Sequence, residues 1–86
     1  MQEFIDSLEL PFEGKMRDKD YVIKVNTSDE FSDLFNAISL NKHLNLEDDS
    51  VATVDEAKFV FTDGEYNVKL EADYKTDYYS LTVEVR

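Results

Sequence analysis

From Ala57 to Val85 the chain alternates side chains with a period of two. Ala57, Phe59 and Phe61 are interleaved with Lys58, Val60 and Thr62. After Asp63-Gly64, the residues Tyr66, Val68, Leu70 and Ala72 are interleaved with Glu65, Asn67, Lys69 and Glu71. This is the pleat of a half-buried β-strand, so the stretch predicts two strands joined at Asp63-Gly64. Asp-Gly between alternating runs favours a type I′ turn, in which both central residues take positive φ. The register that follows sets Thr62 opposite Glu65, Phe61 opposite Tyr66, Phe59 opposite Val68 and Ala57 opposite Leu70. Beyond Asp73 to Asp77, the run Tyr79, Leu81, Val83, Val85 continues the same face on a third strand. On the other face this register brings Lys58 against Lys69, with Val60 and Tyr78 also showing. A like-charge pair of that kind is unfavourable unless an acid or a covering segment intervenes, and the N-terminal residues are the candidate cover.

Upstream the period changes. Tyr21, Ile23 and Val25 point one way and Val22 and Lys24 the other, which is a strand. Thr27-Ser28-Asp29-Glu30 follows as a capping box: the Thr27 hydroxyl is placed to accept from the N–H three residues on, and Glu30 to reach back. Phe31, Leu34, Phe35 and Ile38, flanked by Ala37 and Leu40, then form the stripe of an amphipathic helix. Asp29, Glu30 and Asp33 suit the positive end of its dipole, and Lys42 and His43 suit the other. The helix is expected to stop near Asn41 to His43, after about four turns. Leu44 and Leu46 are then expected beneath the helix end, with Glu47 to Ser50 as a solvated loop and Val51 to Val54 as a short strand or a helical turn.

The N-terminus supports two readings. Phe4, Ile5 and Leu8 fit a helical turn, whereas Leu8, Leu10 and Phe12 alternate like a strand that could pair with Tyr21 to Val25. Pro11 confines such a strand to an edge, because it offers no N–H to a ladder. Gly14 to Lys19 reads as an exposed turn carrying Lys15, Arg17 and Lys19, the one basic cluster. The whole predicts a single α+β domain over residues 1–86. It is an antiparallel meander of three C-terminal strands, extended by an N-terminal strand or hairpin, with one amphipathic helix on one face.

At 86 residues without cysteine, such a domain holds itself by packing alone and is only marginally stable by size. Six Phe and five Tyr supply the compensating apolar area. No apolar run approaches the ~20 residues that cross a bilayer, and Met1-Gln2-Glu3 lacks the basic start of a secretory signal. The expectation is a cytoplasmic protein that engages no membrane.

Charge changes the picture more. Twenty acidic and nine basic residues give a net charge of −11. Such a field repels nucleic acid and anionic lipid and steers the chain toward basic surfaces. Two readings follow: a basic protein as the expected partner, with no direct nucleic-acid binding, or an acidic surplus that serves solubility alone.

Catalytic chemistry finds little support. His43 is the single histidine; Ser39 lies four residues before it, a commonplace pairing at a helix end. Gly14 and Gly64 stand alone, so no phosphate-cradling loop exists. The acids lack the alternation and central glycine of a calcium loop. No enzyme, metal or cofactor is expected. The acids themselves are the candidates. Glu47, Asp48, Asp49, Asp55 and Glu56 fall together without a lysine or arginine among them. Asp73, Tyr74, Asp77 and Tyr78 surround the second connection, and a meander places Asp55 and Glu56 at the same end of the sheet as Asp73 and Asp77. These nine are the expected partner-binding residues. Carboxylates so arrayed imitate a phosphate backbone, and tyrosines among them add interface area at low entropic cost.

In size and layout this short, cysteine-free, acidic helix-on-sheet chain resembles small phage-encoded inhibitors of the anti-CRISPR and DNA-mimic kind. The resemblance implies occupation of a positively charged nucleic-acid channel, such as the one by which an RNA-guided nuclease reads its target-adjacent motif. Two alternatives share the scaffold: an immunity protein that neutralises a nuclease toxin, and an adaptor that binds through its exposed sheet face.

Overall fold

The computed structural model describes all 86 residues. A helix, α1 (Gln2–Ser7), precedes a hairpin of β1 (Lys15–Arg17) and β2 (Asp20–Val25); then come α2 (Ser28–Ser39), two short strands β3 (Asn45–Leu46) and β4 (Val51–Ala52), and the long strands β5 (Glu56–Thr62), β6 (Tyr66–Asp73) and β7 (Tyr78–Val85). All seven strands form one antiparallel sheet in the order β1-β2-β7-β6-β5, with β3 and β4 end to end along the free edge of β5. Both helices contribute to the core on one face of this sheet. This is the expected α+β architecture, with an N-terminal hairpin extending the meander.

The Thr27 cap forms as the sequence requires: its hydroxyl accepts the Glu30 N–H at 3.2 Å, and the Glu30 carboxylate accepts the Thr27 N–H at 3.2 Å. The helix it starts is shorter than expected, 12 residues ending at Ser39. Leu40 is 80 % exposed and Leu46 52 % exposed, so of the apolar residues from Leu40 to Leu46 only Leu44 enters the core. Aromatic contacts fasten α2 to the sheet: Phe31 lies 5.8 Å from Tyr79 of β7, and Phe35 lies 4.8 Å from Phe59 of β5. Beneath them Leu34, Ile38, Val68, Leu70, Leu81 and Val83 are fully buried.

The β5–β6 register differs from the expectation by two residues. Thr62 pairs with Asn67, Phe61 with Val68, Phe59 with Leu70 and Ala57 with Ala72. Local side-chain bonds cause the shift. The Asp63 carboxylate accepts the N–H groups of both Glu65 and Tyr66 at 2.9 Å, while the Thr62 hydroxyl accepts from Gly64 N–H and donates to the Tyr66 carbonyl. Only Gly64 takes positive φ, +99°, so the loop is a wider turn closed by Asp63 rather than a two-residue I′ turn. A slip of two keeps every side chain on its face, so the core is unchanged. It does change the outer face. Lys58 now faces Glu71 and Lys69 faces Val60, and the expected lysine pair does not exist.

The N-terminal residues resolve to helix for Gln2–Ser7 and not to a strand at Leu8 to Phe12. The strand that pairs with β2 is instead Lys15–Arg17, within the segment expected to be a turn; the turn itself is only Asp18-Lys19, with Asp18 at φ 56°. Ile5 and Leu8 enter the core, and Phe4 stacks on Tyr66 at 4.5 Å. The segment therefore covers the helix side of the sheet and leaves the outer face open. Gly14 makes this route possible. A Cβ there would collide with the Val22 carbonyl and lie 2.6 Å from Ile23 Cγ1, while the Gly14 N–H donates to the Tyr21 hydroxyl at 2.6 Å.

Candidate functional site

Strand parity sorts the charges. The register places Lys15, Arg17, Lys24, Lys58 and Lys69 on the outer face, together with Asp20, Glu56, Glu71, Asp73 and Glu84. The strands thus carry as many bases as acids, and no charged strand residue faces the core. The whole of the −11 resides on helices, loops and the chain ends.

One end of the sheet concentrates it. The β4–β5 turn is closed by Thr53, whose hydroxyl accepts the N–H groups of Asp55 at 3.3 Å and Glu56 at 3.1 Å. The β6–β7 turn is closed by Asp73, whose carboxylate accepts from the N–H groups of Lys75 at 3.0 Å and Thr76 at 3.3 Å. A backbone bond laces the two together, Tyr74 N–H to the Asp55 carbonyl at 2.9 Å, and Glu56 pairs directly with Asp73 across β5 and β6. Asp77, in the left-handed region at φ 52°, accepts from the Tyr79 hydroxyl at 3.2 Å. Burial of Tyr79, together with this bond to a carboxylate, raises its pKa above the ordinary phenolic value.

Asp55, Glu56, Asp73 and Asp77 are thus brought together as the meander requires. Tyr74 and Tyr78 stand among them, 38 % and 45 % exposed. Tyr74 packs edge-on against Tyr79 at 5.9 Å, and the Lys24 ammonium lies 5.8 Å from the Tyr78 ring centre. One ion pair answers the acids, Lys75 with Asp55 at 3.4 Å, between largely exposed side chains. A shallow concavity of about 300 Å³ opens beside them on the outer face, walled by Glu56, Lys58, Glu71, Asp73, Val51 and Tyr78. Such a surface presents carboxylates and aromatic faces to a cation.

The other three sequence candidates lie elsewhere. Glu47, Asp48 and Asp49 form the β3–β4 loop, which clasps the middle of β5: the Glu47 N–H donates to the Val60 carbonyl at 2.7 Å, and the Val60 N–H donates to the Ser50 hydroxyl at 3.2 Å. Val60 is buried as a result, at 8 % exposure, and is not the exposed apolar contact expected from its parity. Glu47 pairs with Arg86 at 2.6 Å. Asp48 and Asp49 share a concavity of about 520 Å³ with Lys58, Lys69, Asn67 and Arg86, so this region is of mixed charge. The Asn67 side-chain oxygen is buried there without a hydrogen-bond partner. Lys69 bonds to Glu84 at 2.9 Å, which raises the lysine pKa above its ordinary value.

At the far end of β5, burial alone would push the Asp63 carboxyl up, but the backbone N–H groups it accepts and the nearby His43 hold it below the ordinary carboxylate value. His43 is exposed, and its backbone N–H donates to the Asn41 side-chain oxygen at 2.9 Å. The Ser39 hydroxyl turns back to the Asn36 carbonyl at 3.1 Å. No three His, Asp or Glu side chains converge as metal ligands would, and no helix is long and apolar enough to cross a membrane.

Sequence reasoning set Glu71 around the second connection with Asp73 and Asp77, but did not bring Lys24 there. The parity of Lys24 was legible, but its neighbours depended on β2 lying beside β7. No protein-family model matches the chain, nor does any curated protein or solved structure.

Proposed function

We propose that this protein is a non-catalytic inhibitor that lays its acidic end against a basic surface of a nuclease, in the place of a nucleic-acid backbone. The observation that carries the reading is the convergence of Asp55, Glu56, Asp73 and Asp77 around exposed Tyr74 and Tyr78, with a single exposed ion pair to offset them. The two turns that carry the four carboxylates are laced by a backbone bond and closed by Thr53 and Asp73, so little backbone order is lost when a cationic groove closes on them. The tyrosines offer flat rings to arginine side chains of that groove. Glu47, Asp48 and Asp49 play a lesser part, because Glu47 is paired with Arg86 and the concavity beside Asp48 and Asp49 also holds Lys58 and Lys69.

The test is inhibition of DNA cleavage by an RNA-guided nuclease and by a bacterial nuclease toxin, measured with the intact chain. An RNA-guided target supports the anti-CRISPR form of the reading, and a toxin target the immunity form. In either case the affinity should fall steeply as salt rises from about 0.05 to 0.5 M. Asp55→Lys with Glu56→Lys should abolish inhibition, whereas Asp48→Lys with Asp49→Lys should weaken it only modestly. Asp73 and Asp77 are left intact because they close and shape their turn. Inhibition of neither enzyme, or inhibition indifferent to Asp55→Lys with Glu56→Lys, would sink the proposal.

A further inference from the structure

The basic residues Lys15 and Arg17 play no part in an acidic docking end, and the fold gathers them beside Lys24. Strand β1 is the last strand on the side of the sheet away from β5. All three of its residues are exposed, Met16 by 55 %. Its backbone groups that point away from β2 have no partner. Lys15 lies opposite Val22 and Arg17 opposite Asp20, so both side chains share the outer face with Val22 and Lys24, while Met16 shares the other face with Tyr21. A cavity of about 380 Å³ runs along this edge, lined by Glu13, Gly14, Lys15, Met16, Arg17, Val22 and Lys24. The molecule's three ion pairs all lie elsewhere, so even the Arg17–Asp20 neighbours leave the guanidinium without a bound carboxylate. An unpaired edge strand invites another strand, and its Lys15 and Arg17 deter only a like-charged one.

We infer that the β1 edge is a second docking site, which takes an extended acidic segment of another protein as an added strand. Residues two apart on a strand lie roughly 7 Å apart on one face. Carboxylates at positions i and i+2 of the added strand therefore meet Lys15 and Arg17, and the apolar residue between them meets Met16. Main-chain bonds to the free side of β1 supply affinity, and the alternation supplies selectivity. A nucleic-acid strand is the poorer occupant. It has no amides for the edge and no use for Met16, and a polyanion feels the −11 of the chain more than two or three carboxylates do. The protein then has two unlike surfaces, an acidic end and a basic edge. The inference does not rest on the identity of the acidic end's partner.

The experiment is an NMR titration of the full ¹⁵N-labelled chain with the acetylated, amidated peptide Glu-Val-Glu-Val-Glu. Shifts are expected at the amides of Lys15 to Arg17 and Val22 to Lys24. Lys15→Glu with Arg17→Glu should weaken binding at least about tenfold, or ~1.4 kcal/mol, with the far-UV circular dichroism unchanged. A peptide N-methylated at every residue keeps its charge but offers no main-chain N–H from either edge of its backbone. It should bind the unaltered chain at least about tenfold more weakly, a comparison that needs no variant to fold. No shifts, shifts away from β1, or equal binding of the methylated peptide would overturn the inference. So would tighter binding of a thymidine oligonucleotide through the same two residues.

Discussion

The two faces of this sheet are built from the same strands and do opposite work. On the helix side every strand position is uncharged, and seven large side chains are fully buried under and between the helices and strands. The outer side carries five bases and five acids, and only the β3–β4 loop lies over part of it. The difference teaches that strand parity divides the labour. One set of positions holds the domain together, and the set between them is left for display. Substitutions on the helix side should therefore be felt as lost stability, and those on the outer side as altered binding at nearly constant stability.

The sharpest way to break that comparison is Leu81→Ala, at the centre of β7 and fully buried. It should cost about 2–5 kcal/mol, measured by urea unfolding, which for a marginal domain of this size is enough to unfold much of the population. A cost under about 1 kcal/mol would mean that the helix-side core is not the main support. Next comes Gly14→Ala, where the new methyl meets the Val22 carbonyl and Ile23. Overpacking of this kind costs about 1–3 kcal/mol, and the loss should appear as faster amide exchange in β1 and α1 before the rest of the sheet. Thr27→Ala removes the hydroxyl that caps α2 and should cost about 1 kcal/mol, read as a lower thermal midpoint with the sheet signals intact.

On the outer face, Lys69→Gln breaks the pair with Glu84, whose side chains are 33 % and 26 % exposed. Solvent screens such a pair, so the loss should stay below about 1 kcal/mol. A larger loss would blur the division between the two faces.

The smallest effect is in pH. The folded pKa of Asp63 lies below its unfolded value, so its contribution is complete above about pH 4 and disappears as the pH falls through the folded pKa. Asp63→Asn keeps an acceptor for the Glu65 and Tyr66 N–H groups but does not titrate. The acid limb of its stability profile, below about pH 4, should be flatter than that of the unaltered chain. Identical limbs would show that another carboxyl governs acid unfolding.

Much of this molecule was legible in its residues. The period of two over Ala57 to Val85 and the spacing of Phe31, Leu34, Phe35 and Ile38 give the elements, their inward faces and the capping box directly. They do so because burial selects side chains at the repeat of the backbone. The gathering of Asp55 and Glu56 with Asp73 and Asp77 follows from the meander, since alternate connections fall at the same end of a sheet. The acidic surplus, and the absence of thiol chemistry, are plain counts.

Other features were settled only when distant parts of the chain met. The β5–β6 register depended on whether Asp63 would donate its turn to glycine geometry or close it with its own carboxylate, a competition between backbone and side-chain acceptors that period cannot rank. Glu47 to Asp49 look continuous with Asp55 and Glu56 along the chain. In space the β3–β4 loop carries them to Arg86, Lys58 and Lys69, partners 9 to 39 residues away. Lys15 and Arg17 read as turn residues because a three-residue strand is too short to show a period. Only pairing with β2 made them an edge, and only the order of the sheet left that edge open. Local sequence determines which way each side chain points. Which charges become neighbours is decided by strand order and register, and these minimise the free energy of the whole sheet rather than of any one segment.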